Sequence, residues 1–315
     1  MSDSLKHYNQ HFFNTRPVYA LGAWFLDNLP PIWGYMLTRA CAEFAYRFSP
    51  WQRNSLTDNV RHVLRTVNPD WADCDVERRT RKLVHRIFIN RGDWFADLSI
   101  LAGKRPLATL MKFTPEGDFD GLGRHVKGGR GAILVSAHLG NWHAGSVVVG
   151  TRGVQVRSIM YGNHAASFMY RGVERRAGVS PILVGDDTFS IVEIVRALKG
   201  GQVCAMLSDI PWDSRWIELP FFGKPARFPL GAVRVARLAG VPLFPAFCIS
   251  VRPGEFRAIL RDPIEITGPD PDVAEREALL RLIRVYEEII AKYTHLWFNF
   301  SPVWSWNGNG GNGAH

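Results

Sequence analysis

The sequence predicts an α/β fold: a mixed, mostly parallel sheet flanked by helices, with a helical N-terminal portion. Three observations predict it. From about residue 111 onward, short apolar runs alternate with helix-length amphipathic stretches. The first hundred or so residues carry helical patterning instead. The run Ala132-Ile-Leu-Val135 is apolar, short, and bounded by glycines and basic residues, as a buried strand should be. Such alternation implies a sheet covered on both faces. A chain of 315 residues is long enough to bury a full core.

Residues 1–15 read as poorly ordered. The apolar, aromatic segment Val18 to Phe48 is interrupted by Asp27-Asn-Leu-Pro-Pro31, which predicts two helices, the second opening on Pro31 as its first residue. Trp24, Phe25 and Leu26, then Ile32, Trp33, Tyr35, Met36 and Leu37, suit a helix pair lying in a membrane interface and equally a core pair. After the break at Ser49-Pro-Trp51, residues 51–66 place Leu56, Val60, Val63 and Leu64 on one helical face. Asn68-Pro69-Asp70 is a turn. Asp73 or Asp75 then caps a long helix through Leu101, and its charge run Glu77 to Lys82 reads as a solvated face. Strands follow around 131–136, 153–159, 181–184, 202–207, 242–249 and 256–260. Helices fill 118–127, 141–151, 164–177, 187–199 and 229–239, and a last amphipathic helix spans 271–292. The Asn/Gly tail is low in complexity. The division predicted is 1–110, helical and membrane-associating; 111–306, α/β; and 307–315, a flexible tail.

Lys and Arg number 38 against 29 Asp and Glu, a net charge of +9. That excess suits an acidic partner such as anionic lipid, a phosphorylated cofactor or an acidic carrier protein. Neither zinc spacing nor an RNP-like aromatic block is present, so nucleic acid is not expected as a partner. Four scattered cysteines, Cys41, Cys74, Cys204 and Cys248, read as reduced, mostly buried thiols of a cytoplasmic protein. No cleavable signal pattern opens the chain, and no apolar run reaches the roughly 18 residues of a membrane span. The 11 tryptophans favour a peripheral membrane protein.

Chemistry concentrates at two strand ends. His138 follows the buried run Ala132 to Val135 and precedes a helix starting at Asn141. Ligands of open α/β sheets gather at the carboxyl ends of strands, and unpaired N–H groups at a helix start suit negative charge. The bland alternative is a hydrogen-bonded structural histidine. Asp209, in Leu207-Ser-Asp-Ile-Pro211, ends a second strand. Then comes a Pro- and Gly-rich apolar loop from Leu219 to Gly231. Its Lys224 and Arg227, with Arg171, Arg175 and Arg176, can hold a phosphate or can be plain solvated charge. His164 reads as a loop or cap residue, and Tyr161 and Trp212 as groove or core aromatics. Other chemistries lack support. The one G-x-G-x-x-G match, Gly308 to Gly313, lies in the tail with no helix after it. Ser136 and Ser208 sit in no G-x-S-x-G elbow, leaving a serine hydrolase as a reading by default. His138 and His143 have no third ligand at metal spacing, so no metal is expected.

His138-Leu-Gly-Asn-Trp-His143, Asp209 and Pro220-Phe-Phe-Gly-Lys-Pro-Ala226 together resemble the lysophospholipid acyltransferase-like superfamily. The branch they are most similar to is that of the lipid A biosynthesis lauroyl/myristoyl acyltransferases. The helical N-terminal third and the Arg-rich stretch Arg171 to Gly178 look alike too, so the resemblance runs from about residue 20 to 305. It implies transfer of a fatty acyl group from an acyl carrier protein or coenzyme A thioester to a hydroxyl or amine of a membrane lipid. It implies a peripheral site on the cytoplasmic face of the inner membrane and no cofactor beyond the donor. His138 would be the general base, and Asn141, Arg171, Arg175, Phe222, Gly223, Lys224 and Arg227 would bind substrate. Neutral imidazole can take a proton from the acceptor as it attacks, and a carboxylate fixes its tautomer. Donors after Gly140 can hold the oxyanion.

The motif departs from the family at position 143, where His replaces an acidic residue. Loss of an orienting carboxylate costs about 10⁴-fold in a serine-protease triad. Three readings stand. Another carboxylate, Asp209, Asp93 or Asp97, replaces the missing one; or His143 works as a neutral partner for an easier acceptor; or the chain is a degenerate member, a scaffold that binds lipid or carrier protein without turnover.

Overall fold

The structure, a computed structural model, describes residues 30–103, 111–150, 153–161, 172–173, 178–184, 189–211 and 215–304. The predicted helix 164–177, the tail 307–315, and Arg171, Arg175, Arg176, His164 and Trp212 fall wholly or largely outside those residues.

Among the described residues three helices come first: α1 (Pro31–Phe48), α2 (Pro50–Val67) and α3 (Asp73–Ala102). Pro31 and Pro50 each occupy the first turn, where the missing N–H is no loss. Asp73 and Asp75, expected to cap α3, lie instead in its first turn after Ala72 and make no side-chain cap, though their acid suits the positive helix end. The α/β part runs β1 (Lys112–Glu116), α4 (Phe119–Lys127), β2 (Ala132–Ser136), α5 (Trp142–Gly150), β3 (Val156–Tyr161) and β4 (Val179–Val184). It continues with α6 (Phe189–Lys199), β5 (Val203–Leu207), β6 (Trp216–Phe221), β7 (Lys224–Pro229), α7 (Gly231–Ala239), β8 (Leu243–Arg252), β9 (Glu255–Leu260) and α8 (Pro271–Lys292).

Among the described residues, seven strands form one sheet in the order β1-β9-β8-β2-β5-β3-β4. Every pairing but β8 with β9 is parallel. All five residues of β2 are buried, as a central strand requires. One buried core runs from Leu56 of α2 through α3 and the sheet to Phe298.

Two expectations change. The loop read from Leu219 to Gly231 is mostly a two-stranded antiparallel ribbon, β6 with β7, in which Leu219 pairs with Ala226 and Phe221 with Lys224. Strand β1 was not foreseen: it is an edge strand carrying two charges and a proline.

Helix α1 packs against α3 with its polar side. Tyr35 donates to Asp97, Arg39 pairs with Asp93 through two bonds, and Glu43 meets His85. Residues 35, 39 and 43 are four apart and make one stripe. At Gly92 the backbones come so close that an added Cβ would lie 2.7 Å from the Thr38 carbonyl oxygen. The apolar side of α1 faces outward: Ile32, Trp33, Met36, Leu37, Phe44 and Phe48 are each more than 40% exposed.

Candidate active site

Strands β2 and β5 are parallel neighbours, with Ser136 opposite Leu207. His138 and Asp209 each lie two residues beyond those partners, and the Ser208 N–H donates to the Ser136 carbonyl at 2.9 Å. The register therefore sets the two side chains next to each other at the carboxyl edge of the sheet. His138 Nδ1 is 2.6 Å from Asp209 Oδ1, and the His138 backbone N–H donates to the same oxygen at 3.0 Å. The contact turns the Nδ1 edge of the imidazole toward Asp209 and its Nε2 edge away from it.

The carboxylate is itself held. Trp297 Nε1 donates to Asp209 Oδ2 at 3.1 Å, and Asn299 Nδ2 to the Asp209 carbonyl at 3.4 Å. Phe298 N–H donates to the His138 carbonyl at 2.7 Å. Beneath the pair, Tyr286 of α8 donates to the Ser136 carbonyl at 2.9 Å, and burial pushes its phenol well up. His138 and Asp209 are 9% and 6% exposed, at the floor of the site.

The turn after His138 is stapled on two further sides. Gly140 has φ of +65°, a left-handed conformation, and an added Cβ would meet the Cys248 carbonyl oxygen at 2.1 Å. Its N–H donates to the Leu296 carbonyl, and the Asn141 N–H to that of Cys248. The Asn141 side chain caps α5, accepting from the Ala144 N–H at 3.1 Å, and donates through Nδ2 to Asp97 at 3.2 Å.

His143, on the first turn of α5, lies against Trp94 and Trp142 at ring-centroid distances of 5.5 and 5.7 Å. The Arg91 guanidinium sits 3.7 Å over the Trp94 ring. Burial, and then the Arg91 charge, hold the His143 pKa down at about 3, so its imidazole is neutral at pH 7. The Trp142 ring also meets His138 edge-on at 5.5 Å.

The family-like ribbon stands behind the carboxylate. Phe221 lies 6.0 Å from Trp297 and stacks on Trp304. Phe222 and Gly223 form the tip, with φ of +48° and +76°. The Phe222 backbone is fixed by Glu287 and His62. Lys224 is exposed, while Arg227 pairs with Glu218 and lies over Trp216. Of the residues singled out in the sequence, His138, Asp209, Asn141 and His143 come together; Phe222, Gly223, Lys224 and Arg227 belong to the ribbon, whose Phe221 lies against Trp297. Sequence reading did not single out Trp297, Asn299, Tyr286 or Arg91. The Trp-Phe-Asn-Phe run after the last helix was the available signal for the first two. Among the described residues, no group of three or more His, Cys, Asp or Glu is placed to hold a metal ion.

Comparisons with known proteins agree with this architecture. Phosphatidylinositol mannoside acyltransferases of two Mycobacterium tuberculosis strains are 25% identical over 137 residues, 42% of this chain and 43% of theirs. The enzyme of that name from Mycolicibacterium smegmatis is 27% identical over 135 residues, 42% of this chain and 44% of its own. The chain thus matches less than half the length of these curated relatives. The family model for the bacterial lipid A biosynthesis acyltransferases matches residues 6–305, nearly the whole chain. With that coverage added to the sheet-edge histidine, the chain belongs to the bacterial lipid A biosynthesis acyltransferase family.

Proposed function

We propose that this protein transfers a fatty acyl group from a thioester, carried by acyl carrier protein or coenzyme A, to a hydroxyl or amine of a lipid or a specialised acceptor. The observation that carries the reading is the buried His138–Asp209 pair, 2.6 Å apart. His138 Nε2 takes the proton of the acceptor as its oxygen or nitrogen attacks the thioester carbonyl. Asp209 holds the resulting imidazolium. The tetrahedral intermediate collapses with loss of the C–S bond, and His138 returns the proton to the departing thiolate. Of the three readings of position 143, this geometry supports the first: Asp209 does the carboxylate's work, and His143 is a neutral, packed neighbour.

The partners follow from charge and surface. A net charge of +9 favours an acidic carrier protein as donor. Arg171, Arg175 and the exposed Lys224 remain the candidates for its phosphate; Arg227 is already engaged by Glu218. The outward apolar face of α1 fits a peripheral seat on a lipid bilayer, at the cytoplasmic face of the inner membrane. Among the described residues no helix is long and apolar enough to cross a membrane.

The test is acyl transfer from labelled acyl-carrier donor to lipid, sugar, aryl and amino acceptors. Wild-type chain should label one class, and His138→Ala should reduce transfer to background. Asp209→Asn should lower kcat by about 10³–10⁴-fold, as when a triad loses its orienting acid. A wild-type chain that binds acyl carrier protein yet labels no acceptor is a scaffold, and the proposal fails.

A further inference from the structure

We propose that Asp97 is a positioning residue for the acyl-transfer site: its carboxylate fixes Asn141, and through Asn141 the turn that carries His138. The inference takes its rate readout from the function proposed above. Asp97 lies in the last turns of α3 and is 1% exposed. One oxygen accepts from the Tyr35 hydroxyl of α1 at 2.5 Å, the other from Asn141 Nδ2 at 3.2 Å. Asn141 is fully buried and spends its other end, Oδ1, on capping α5.

A side-chain amide has a donor end and an acceptor end, and only its surroundings decide which faces where. An ionised carboxylate can only accept. It therefore dictates that Nδ2 faces α3 and Oδ1 faces the α5 N–H groups. The reversed amide would set oxygen against carboxylate and NH₂ against N–H, both in buried surroundings. Only Leu139 and Gly140 separate Asn141 from His138. A misplacement of about 1 Å at a catalytic group costs about 10²-fold in rate.

A carboxylate is an expensive way to hold an amide. Burial raises the Asp97 pKa to about 7, against the hydrogen bonds from Tyr35 and Asn141 and a backbone contact from Gly254, with Asp93 adding to the rise. The groups facing it are few. Asp93 is itself paired with Arg39, and the thiol of Cys248 on β8 is pushed up by burial first and by Asp97 second. The sign follows from linkage. A folded pKa above the ordinary carboxylate value contributes stability at low pH, and that contribution is lost as pH rises through about 7. Above pH 7 the carboxylate is a liability for folding, so stability alone does not account for it.

The test exchanges the two groups. Asn141→Asp places two carboxylates in contact and should lower kcat at least about tenfold at pH 8, less so toward pH 6 where the pair shares a proton, with donor KM little changed. Asp97→Asn should lower kcat by roughly fivefold while its thermal midpoint at pH 8 equals or exceeds that of the wild type. The swap, Asp97→Asn with Asn141→Asp, restores one carboxylate and one amide and should return kcat to within about threefold of wild type. Hydrogen exchange at residues 138–145, measured on the full chain without substrate, should lose protection in Asn141→Asp and regain it in the swap. The proposal is overturned by single variants with wild-type kcat and exchange. It is equally overturned by a swap as impaired as the product of the singles, or by Asp97→Asn with a lower midpoint and unchanged kcat. A wild-type chain that transfers no acyl group sinks the acyl-transfer reading, and the exchange series still decides the coupling.

Discussion

At position 143 the chain tests what a catalytic motif requires. In the acyl-transfer reading proposed above, Asp209 supplies the carboxylate beside His138, which makes a second one at 143 redundant. His143→Glu should leave kcat within about tenfold of wild type, the new acid finding a partner in Arg91. A gain of more than about 100-fold in kcat would mean that Asp209 is not the orienting acid. The neutral imidazole has a second consequence. Its folded pKa of about 3 lies below the ordinary histidine value, so the unfolded chain takes up the proton first, and this stability contribution is lost as pH falls from about 6.5 toward 3. His295, pushed to about 4 by burial and then by Arg86, acts in the same direction. Thermal unfolding followed from pH 8 to pH 4 should show a shallower decline for His143→Gln than for wild type. Sequence alone marked His138 and Asp209 as strand-end residues, because period and position are local signals. Their adjacency was not legible, since it depends on β2 and β5 being neighbours across 71 residues of chain. The contact of Trp297 was hidden for the same reason: its indole meets Asp209 across 88 residues.

Among the elements, the turn between β2 and α5 tolerates little change. Gly140→Ala would require a left-handed backbone, worth about 1–2 kcal/mol for a residue with a side chain, and would drive its methyl into the Cys248 carbonyl. Urea unfolding should show a loss of at least that size, and acyl transfer should fall with it. The described helices were legible nearly to the residue because their signals are local: proline in the first turn of α1 and α2, and acid at the start of α3. The β6–β7 ribbon was hidden by Pro220, Pro225 and Pro229, which argue against a strand in a wide sheet. They are tolerated here because both strands of a two-stranded ribbon are edges. Its tip was hidden too. A turn with two positive φ values favours Asn-Gly, and this chain uses Phe-Gly. The Phe222 ring is buried near Phe221 and Trp304, so packing overrides local turn preference.

For the whole molecule, the surface and the core make separate predictions. Trp33 and Phe48 are each more than half exposed on α1, so replacing both with Glu should leave the fold intact. Binding to vesicles of anionic phospholipid, measured by co-sedimentation, should drop by about tenfold in that double variant. Equal binding by wild type and variant would remove α1 from the proposed membrane seat. The sequence could not say which side of α1 would pack inward; the polar stripe of Tyr35, Arg39 and Glu43 does so against α3, which leaves the apolar side exposed. The opposite end of the chain closes the other side of the molecule. Asn59 of α2 donates to the carbonyls of Asn299 and Ser301 and accepts from the Val303 N–H, and Trp304 donates to Phe221. Because residues 297–301 clasp both Asp209 and α2, a nascent chain still on the ribosome can pair its strands while the His138–Asp209 side chains stay unclasped until that stretch emerges.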